Sequence, residues 1–260
     1  MDIKGKTAIV TGSATGLGAA AALKLAERGA NLVINYTKSQ QEAVDTKEAC
    51  EAHGVEAILV QANVAEDDDC RRMAKEAMDK WGRIDILVNN AGVSKFADHA
   101  KLDELSAEDF QNIYAVNVIG AYQMIRAVEP AMKKQGFGAV VNVSSIAGVR
   151  GIGSSVAYAA SKGALNTMTM SLARALAPEI RVNAVCPGFI ETRWFKEKAG
   201  EDVFNAVAKA NRESSPLKKG APPEDVAESI VFFATEGAQH ITGEAVLVDA
   251  GTHLTFGSMR

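Results

Sequence analysis

Cysteine is scarce in this chain of 260 residues, which contains only three. Cys50, Cys70 and Cys186 are odd in number, lie far apart and form no CxxC pair. Such spacing provides neither a disulfide framework nor a thiolate metal site, so we expect free thiols in a reducing compartment. A signal peptide layout and an apolar run of membrane-spanning length are also missing. These absences predict a cytoplasmic protein without a metal site.

An excess of positive charge is missing as well. Lysine and arginine number 28 against 32 aspartates and glutamates, which gives a formal net charge of −4. This balance leaves no basic surface for nucleic acid or for an anionic membrane. Hydrophobic residues make up 47% of the chain, enough for a large core without structural metals. We therefore predict one globular domain spanning 1–260, with no nucleic-acid or membrane partner.

Short runs rich in Val, Ile and Leu alternate with longer amphipathic segments along the chain. The predicted strands are 7–12, 31–36, 57–64, 84–92, 139–145, 180–188 and 244–251. The predicted helices are 16–28, 38–53, 66–81, 106–134, 155–177 and 223–235. The strands are apolar almost throughout, as in a parallel sheet covered on both faces. The pattern predicts a doubly wound, Rossmann-type α/β sheet of about seven strands, with a helical lid at about 189–220.

A glycine-rich turn, TGSATGLG (11–18), joins the first predicted strand to the first helix. Gly12 permits a tight turn, Gly16 allows a pyrophosphate to approach the backbone, and Gly18 lets the helix pack on the sheet. The N–H groups at the helix start then face the phosphates. The spacing is GxxxGxG rather than the usual GxGxxG. Simple turn glycines are the alternative, but the position between strand and helix favours a phosphate site.

The end of the second predicted strand lacks an acidic residue. Many NAD-binding folds place a carboxylate there, where it binds the ribose hydroxyls and repels a 2′-phosphate. Here the segment reads Asn-Tyr-Thr-Lys-Ser over 35–39. Lys38 and the two hydroxyls can receive a 2′-phosphate, which favours NADP over NAD. Lys38 as a solvated helix residue is the alternative, and Thr15 stands where a basic residue would strengthen the NADP interpretation.

Tyr158 and Lys162 are four residues apart and share one face of a predicted helix. A free tyrosine has a pKa of about 10, and a nearby cation lowers that pKa by stabilising the phenolate. Such pairs also arise by chance, but Ser144 and Ser145 end the fifth strand at the edge where ligands bind. Asn117 lies in an otherwise apolar stretch, so it is either a satisfied core amide or a group that holds a functional water.

Six motifs appear in an order and spacing that resembles the short-chain dehydrogenase/reductase family over essentially the whole chain. They are TGSATGLG (11–18), NNAG (89–92), Asn117, VSS (143–145), YAASK (158–162) and PGFIET (187–192). The resemblance implies an NAD(P)-dependent enzyme that interconverts a secondary alcohol and a ketone, or a hemiacetal and a lactone. Sugar dehydrogenases and 3-oxoacyl-acyl-carrier-protein reductases are the members it is most similar to. The family also implies a homotetramer.

The resemblance implies a role for each catalytic candidate. Ser145 binds the substrate oxygen, Tyr158 is the general acid or base, Lys162 lowers the tyrosine pKa and holds the nicotinamide ribose, and Asn117 fixes a water. The predicted cofactor contacts are Gly12, Thr15, Gly16, Leu17, Gly18, Tyr36, Lys38, Asn63, Val64, Asn89, Ala91, Gly92, Tyr158, Lys162, Pro187, Gly188, Ile190 and Thr192. Asn63 departs from the family, which usually has an aspartate there against the adenine amino group. Its amide oxygen is expected to accept that hydrogen bond instead.

The substrate is less constrained than the reaction. Reductases that meet an acidic carrier protein need a basic patch at the cleft mouth. Two positions where they often carry arginine hold Gly136 and Glu179, although Lys133, Lys134 and Arg174 remain nearby. We therefore expect a free small-molecule substrate. A 3-oxoacyl-acyl-carrier-protein reductase is the alternative. A non-catalytic dinucleotide-binding sensor or scaffold is a third possibility, but such proteins usually lose part of the Ser-Tyr-Lys set.

The predicted lid is rich in aromatic residues. Trp194, Phe195 and Phe204 either wall an apolar pocket or anchor the lid to the core. Arg193 either meets an anionic group or is an exposed helix charge.

Overall fold

The computed structural model describes residues 3–255, except for the side chains of Trp194, Lys198 and Ala199. The strands formed by these residues are β1 (Thr7–Val10), β2 (Asn31–Tyr36), β3 (Ala57–Gln61), β4 (Ile86–Asn89), β5 (Gly138–Val143), β6 (Ile180–Pro187) and β7 (Ala245–Val248). All of them pair in parallel in one sheet of order β3-β2-β1-β4-β5-β6-β7. The predicted doubly wound, seven-stranded sheet is confirmed.

Helices cover both faces of the sheet. They are α1 (Gly16–Glu27), α2 (Gln40–Glu51), α3 (Asp67–Trp81), α4 (Ala107–Tyr114), α5 (Ala121–Gln135), α6 (Ala147–Arg150), α7 (Val156–Leu176), α8 (Arg193–Ala199), α9 (Glu201–Ser214) and α10 (Pro223–Ala234). Short 3-10 turns lie at Leu102–Glu104, Glu236–Ala238 and Thr252–Leu254. Among the described residues, no helix combines the length and the apolar character that crossing a membrane requires.

The apolar strands divide the core into two clusters. Ala8 and Val10 of β1 belong to the cluster beneath α1 and α10, whereas Ile9 belongs to the cluster beneath α3 and α5. Neighbouring side chains of a strand point to opposite faces, so both faces of β1 are buried. A strand with two covered faces has no polar side, which explains why the sequence showed continuous apolar runs rather than alternation.

One predicted helix differs from the observed structure. The segment 106–134 is interrupted by a π-helical turn, Ala115–Gly120, between α4 and α5. Gly120 packs closely on the β3 side of the sheet, because a Cβ placed there would lie 2.8 Å from Cγ2 of Val64. The wider turn also carries Asn117 into the interior, where it is almost fully buried. Side-chain periodicity alone does not reveal such a turn, since tertiary contacts hold it.

The strand order reverses between β1 and β4, which are neighbours in the sheet. The main chains that leave these two strands meet at this point. Asn90 donates from its main-chain N–H to Oγ1 of Thr11 (3.0 Å) and from Nδ2 to the Thr11 carbonyl (2.9 Å). In open α/β sheets, ligands bind outside the carboxyl ends of the strands at this reversal. The fold therefore predicts a ligand site at this edge of the sheet.

Candidate active site

A cleft of about 1390 Å³ runs along the carboxyl edge of the sheet. Most of the predicted site residues line it. They are Gly12, Thr15, Gly16, Leu17, Lys38, Asn63, Val64, Ala91, Gly92, Ser145, Tyr158, Lys162, Pro187, Gly188, Ile190 and Thr192. The structure thus gathers residues that lie up to 180 positions apart in sequence into one continuous groove.

Four predicted site residues lie behind the lining of the cleft. Tyr36 is buried in the core cluster beneath α1, on the opposite face of β2 from Asn35, which lines the cleft. Asn89 donates from Nδ2 to Oδ1 of Asn142 (2.9 Å). A Cβ on Gly18 would lie 2.5 Å from Nδ2 of Asn90. Tyr36, Asn89 and Gly18 therefore support the cleft wall from inside, and their contact with a cofactor stays a prediction. Asn117 is the fourth.

The glycine-rich turn has the backbone that its glycines predict. Gly12 (φ 62°) and Gly16 (φ 59°) both adopt left-handed conformations that strongly favour glycine. Thr15 precedes α1 but makes no side-chain cap, so the first N–H groups of the helix remain available. A helix start of this kind attracts anions through those donors and through the helix dipole. The turn fits a pyrophosphate.

Asn35 holds this turn in place, a role that sequence reasoning missed. Its Oδ1 accepts from the Gly12 N–H (2.9 Å), and its Nδ2 donates to the carbonyls of Val60 (3.2 Å) and Ala62 (3.0 Å). The one side chain therefore links the ends of β1, β2 and β3. A polar residue near the end of an apolar strand was the signal in the sequence, since a buried amide needs partners.

Basic groups surround the cleft where β2 ends. Lys38 is exposed and lines the cleft. Arg193, at the start of α8, also lines it and contacts Glu42 of α2 at 3.2 Å. Thr192 lies over the glycine-rich turn. A Cβ placed on Gly16 would be 3.5 Å from Cγ2 of Thr192. The predicted lid therefore crosses the glycine-rich turn, and Arg193 is both largely exposed and paired with Glu42 of α2.

Tyr158, Ser145 and Lys162 meet at the other half of the cleft. Helix α7 begins there because Oγ of Ser155 accepts from the Tyr158 N–H (3.3 Å). Burial raises the pKa of the Tyr158 phenol, and a hydrogen bond with Ser145 opposes that shift. The phenol therefore holds its proton at neutral pH, as a general acid must.

Lys162 is buried and donates from Nζ to the Val143 carbonyl (2.8 Å). Burial lowers the pKa of this lysine to about 8. Its Nζ lies 5.7 Å from the centre of the Tyr158 ring. Burial is the largest cause of the raised Tyr158 pKa, and the lowering of that pKa by Lys162 stays a prediction. The two groups are nevertheless close enough for a charge on one to affect the other.

Asn117 uses its side chain within the protein. Its Oδ1 accepts from the Val93 N–H (2.8 Å), and its Nδ2 donates to the Val93 carbonyl (3.0 Å) and to Oγ of Ser161 (3.0 Å). This arrangement favours the satisfied core amide over a side chain that holds a water. A Cβ on Gly92 would lie 3.5 Å from Oδ1 of Asn117 and 3.6 Å from Nζ of Lys162. Asn117 therefore lies behind the cleft wall, close to Lys162.

Two further residues fix α7 and were not singled out from the sequence as site residues. Ser144 donates from Oγ to the Lys162 carbonyl (3.1 Å). Gly148 in α6 allows backbone contact with α7, because a Cβ there would lie 2.6 Å from the Gly163 nitrogen. The short helix α6 therefore holds the turn that carries Lys162. The sequence contained one indication of this contact, since Gly148 closely follows Ser144 and Ser145.

Aromatic rings close the cleft beside the lid. Phe195 packs edge-on against Phe189 (4.9 Å between ring centres) and against Phe96 (5.7 Å), and all three line the cleft. Phe204 packs on Phe189 from outside the cleft lining (6.0 Å). Phe195 thus walls the pocket and Phe204 anchors the lid. The side chain of Trp194 lies outside the described residues.

Comparisons with known proteins agree with this geometry. Residues 12–253 match the family model described as enoyl-(acyl carrier protein) reductase. A Streptomyces violaceoruber protein, provisionally named ketoacyl reductase 2 of the granaticin polyketide synthase, is 41% identical over 95% of this chain and 96% of its own. The 3-oxoacyl-acyl-carrier-protein reductase of Staphylococcus epidermidis is 36% identical over 96% of this chain and 99% of its own.

A solved structure is also similar. The crystal structure of a provisionally described short-chain dehydrogenase/reductase from Burkholderia xenovorans is 39% identical, with a TM-score of 0.88. The match covers 96% of this chain and 98% of that one. Identity at this level over nearly full length indicates common ancestry as well as a common fold.

Proposed function

The chain belongs to the short-chain dehydrogenase/reductase family, and on that premise we propose that it interconverts a ketone and a secondary alcohol with Tyr158 as the proton donor or acceptor. The observation that carries this proposal is the meeting of Tyr158, Ser145 and buried Lys162 at one end of a cleft that has a phosphate turn in its middle. A nicotinamide dinucleotide bound in that cleft supplies or accepts the hydride.

Each residue has a separate task in the proposed proton transfer. The Ser145 hydroxyl donates a hydrogen bond to the carbonyl oxygen and orients it. Tyr158 gives its phenolic proton to that oxygen during reduction. The Lys162 ammonium, fixed by the Val143 carbonyl, stabilises the phenolate that remains. Asn117 is a positioning residue, because it holds Val93 and Ser161 rather than a reacting atom.

The residues of the cleft fit a dinucleotide along its length. We assign the pyrophosphate to the glycine-rich turn and to the start of α1. We assign the nicotinamide to the segment from Pro187 to Thr192, which lines the same cleft as Tyr158. Lys38, with no carboxylate at the end of β2, supports NADP over NAD.

Removal of Lys38 tests this cofactor preference. Lys38→Ala is expected to weaken NADPH binding about tenfold, the size of one charge-assisted hydrogen bond. NADH has no 2′-phosphate, so its affinity should change less than about twofold. Titration of each dinucleotide by calorimetry measures both affinities, with Lys47→Ala on the following helix, α2, as the matched control. Equal losses for the two dinucleotides would contradict a 2′-phosphate contact.

The cleft mouth supports a free small molecule as substrate. Asp98 and Glu104 line the cleft there, and Glu104 accepts from the Asp98 N–H (3.0 Å). Glu104 also pairs with Lys101 (3.5 Å), so the Asp98 carboxylate is the negative charge that would repel an acidic carrier protein there. A carrier-bound 3-oxoacyl group is the second candidate, because two relatives are named as ketoacyl reductases.

A substrate screen separates the two candidates. NADPH and NADH oxidation is measured against free cyclic, aryl and aliphatic ketones, and against a 3-oxoacyl group on a carrier protein and on a short thiol. The reverse alcohol and sugar panel is run with the oxidised cofactors. We expect the free ketones to be reduced at least as well as the carrier-bound thioester. A strong preference for the carrier over the short thiol would favour the second candidate.

Exposed apolar side chains support a homotetramer. They lie on the π-helical turn, α5, α7, α10 and β7, at Ile119, Tyr122, Val156, Met170, Phe232 and Val246. An apolar surface shared by several elements is typical of an interface. We expect sedimentation to report a tetramer and the Met170→Glu variant to form smaller species. Leu102→Glu, at an exposed leucine outside these elements, should remain tetrameric. A monomeric wild-type protein would refute the assembly.

A further inference from the structure

Three phenylalanine rings form one wall of the cleft, which we call the aromatic wall. Phe195 packs edge-on against both Phe96 and Phe189, with ring planes at 75° and 86° to its own. All three rings line the cleft, and Phe96 is 42% exposed. Ile152 and Val207 add aliphatic side chains to the lining. A wall of this kind attracts a further aromatic ring, either edge-on or in an offset stack.

The aromatic wall lies close to the proton-transfer group. The Ala97 N–H donates to the Ser154 carbonyl (2.9 Å), so the segment that carries Phe96 runs along the chain next to Gly153. Gly153 in turn lies against Tyr158. A Cβ placed on Gly153 would be 3.6 Å from Cδ1 of the Tyr158 ring. A ring seated against Phe96 would therefore be only a few bonds from a carbonyl group at Tyr158.

The mouth of the cleft beside this wall carries one negative charge that is not balanced by an ion pair. Oδ1 of Asp98 accepts from the Ala100 N–H (3.0 Å), whereas Oδ2 has no hydrogen-bond or ion-pair partner within residues 3–255. The neighbouring Glu104 is paired with Lys101 (3.5 Å). His99 also lines the mouth, and its Nε2 contacts a main-chain carbonyl (3.2 Å). Asp98 is therefore the group that can accept a hydrogen bond from a cation entering the cleft.

We propose that the substrate is an aromatic ketone, with a ring within a few bonds of the carbonyl carbon, and that Asp98 favours a positive over a negative charge on that ring. The ring packs on the aromatic wall while the carbonyl oxygen faces Ser145 and Tyr158. A substituent on the far side of the ring reaches the mouth at Asp98. This inference rests on the proposed function, because it requires reduction of a ketone at Tyr158. Phe195 and Asp98 are then specificity residues, the first for the ring and the second for its charge.

Two ketones that differ only in their ring test the aromatic wall. Benzylacetone and its cyclohexyl analogue carry the same methyl ketone, so a difference in kcat/KM for NADPH-dependent reduction reports the contact with the ring. We expect the wild-type protein to favour the phenyl ketone about three- to tenfold, the usual range for aromatic contacts. Phe195→Leu removes the ring on which the other two pack and should lower this preference below about twofold. Phe110→Leu, at a half-buried ring outside the cleft lining, is the matched control and should keep the preference.

Two para-substituted benzylacetones test the role of Asp98. One carries an aminomethyl group, which is cationic at neutral pH, and the other carries a carboxylate. We expect the wild-type protein to favour the cation about tenfold in kcat/KM, because attraction and repulsion near a protein surface each contribute about threefold. Asp98→Asn has nearly the same shape without the charge and should lower this ratio below about threefold. Asp103→Asn, at an exposed carboxylate outside the lining, should leave the ratio unchanged.

The outcomes separate this inference from the proposed function. Equal kcat/KM for the phenyl and cyclohexyl ketones, or a preference that Phe195→Leu leaves intact, would overturn the choice of an aromatic ring. A preference for the carboxylate, or a charge ratio that Asp98→Asn leaves unchanged, would overturn the role of Asp98. The protein still reduces a ketone in each of these cases, so the proposed function stands. If the wild-type protein binds NADPH but reduces no ketone of any series, the proposed function fails, and this inference fails with it. Thermal unfolding of each variant shows whether an altered ratio reflects an altered fold.

Discussion

Tyr158→Phe is expected to lower kcat for ketone reduction by about 10²–10⁴-fold, the usual contribution of a general acid. The substitution removes one oxygen and leaves the ring in the cleft, so dinucleotide affinity should change little. Steady-state NADPH oxidation with the best ketone of the screen measures the first quantity, and calorimetry measures the second. The loss follows from geometry, because Tyr158 holds its proton at the same end of the cleft as Ser145.

Tyr122→Phe provides the matched control for this experiment. Tyr122 is exposed on α5 and is absent from the cleft lining, so the same chemical change there should leave kcat intact. Unchanged turnover in Tyr158→Phe would remove Tyr158 from the mechanism. A wild-type protein that binds NADPH but turns over no ketone would favour the third possibility, a dinucleotide-binding sensor or scaffold.

Lys162 is expected to set the upper pH limit of ketone reduction. Burial lowers its pKa to about 8, so the ammonium is present below that pH and is lost above it. Only the ammonium stabilises the phenolate that forms when Tyr158 gives up its proton. We therefore expect kcat/KM for reduction to be level below pH of about 8 and to fall as the pH rises further. Alcohol oxidation needs a deprotonated Tyr158, so its rate should rise with pH up to about 8, where loss of the ammonium removes the stabilisation of the phenolate.

Lys162→Met should lower kcat/KM for reduction by about 10²-fold or more and abolish the fall near pH 8, since nothing then titrates at that position. The measurement is kcat/KM against pH for both proteins, with Lys134→Met on the exposed end of α5 as the control. A fall that persists in K162M would assign the titration to another group. A pH profile that is level through pH 9 in the wild-type protein would contradict the lowered lysine pKa.

The fold could be predicted from the sequence because burial on both faces leaves a strong pattern. Every residue of β1, and all but the first of β2, is buried, so each strand appears as a largely apolar run. The turn residues Gly12 and Gly16 were predictable for a related reason, since their positive φ angles strongly favour glycine. Local chemistry is sufficient for such features.

Features that depend on contacts between distant segments were not predictable. The π-helical turn is held by Val64 and Val93, which are far from it in sequence. The alternation of β2 sends Tyr36 into the core and Asn35 into the site, and the partners of Asn35, from Gly12 to Ala62, are distant in sequence. The orientation of the Asn63 amide depends on a single N–H two residues later. None of these contacts leaves a periodic signal in the sequence.

The segment from Thr192 to Phe195, part of the predicted lid, affects more than the shape of the pocket. Thr192 lies over the glycine-rich turn, Arg193 pairs with Glu42 of α2, and Phe195 packs on Phe96 and Phe189 at the proposed substrate end of the cleft. A dinucleotide seated on the turn would therefore lie beneath the same segment that borders the substrate. We expect a compulsory order of events, in which the dinucleotide enters first and leaves last. The alcohol product would depart while the cofactor is still enclosed, and product-inhibition patterns would then show competition only between the two forms of the dinucleotide.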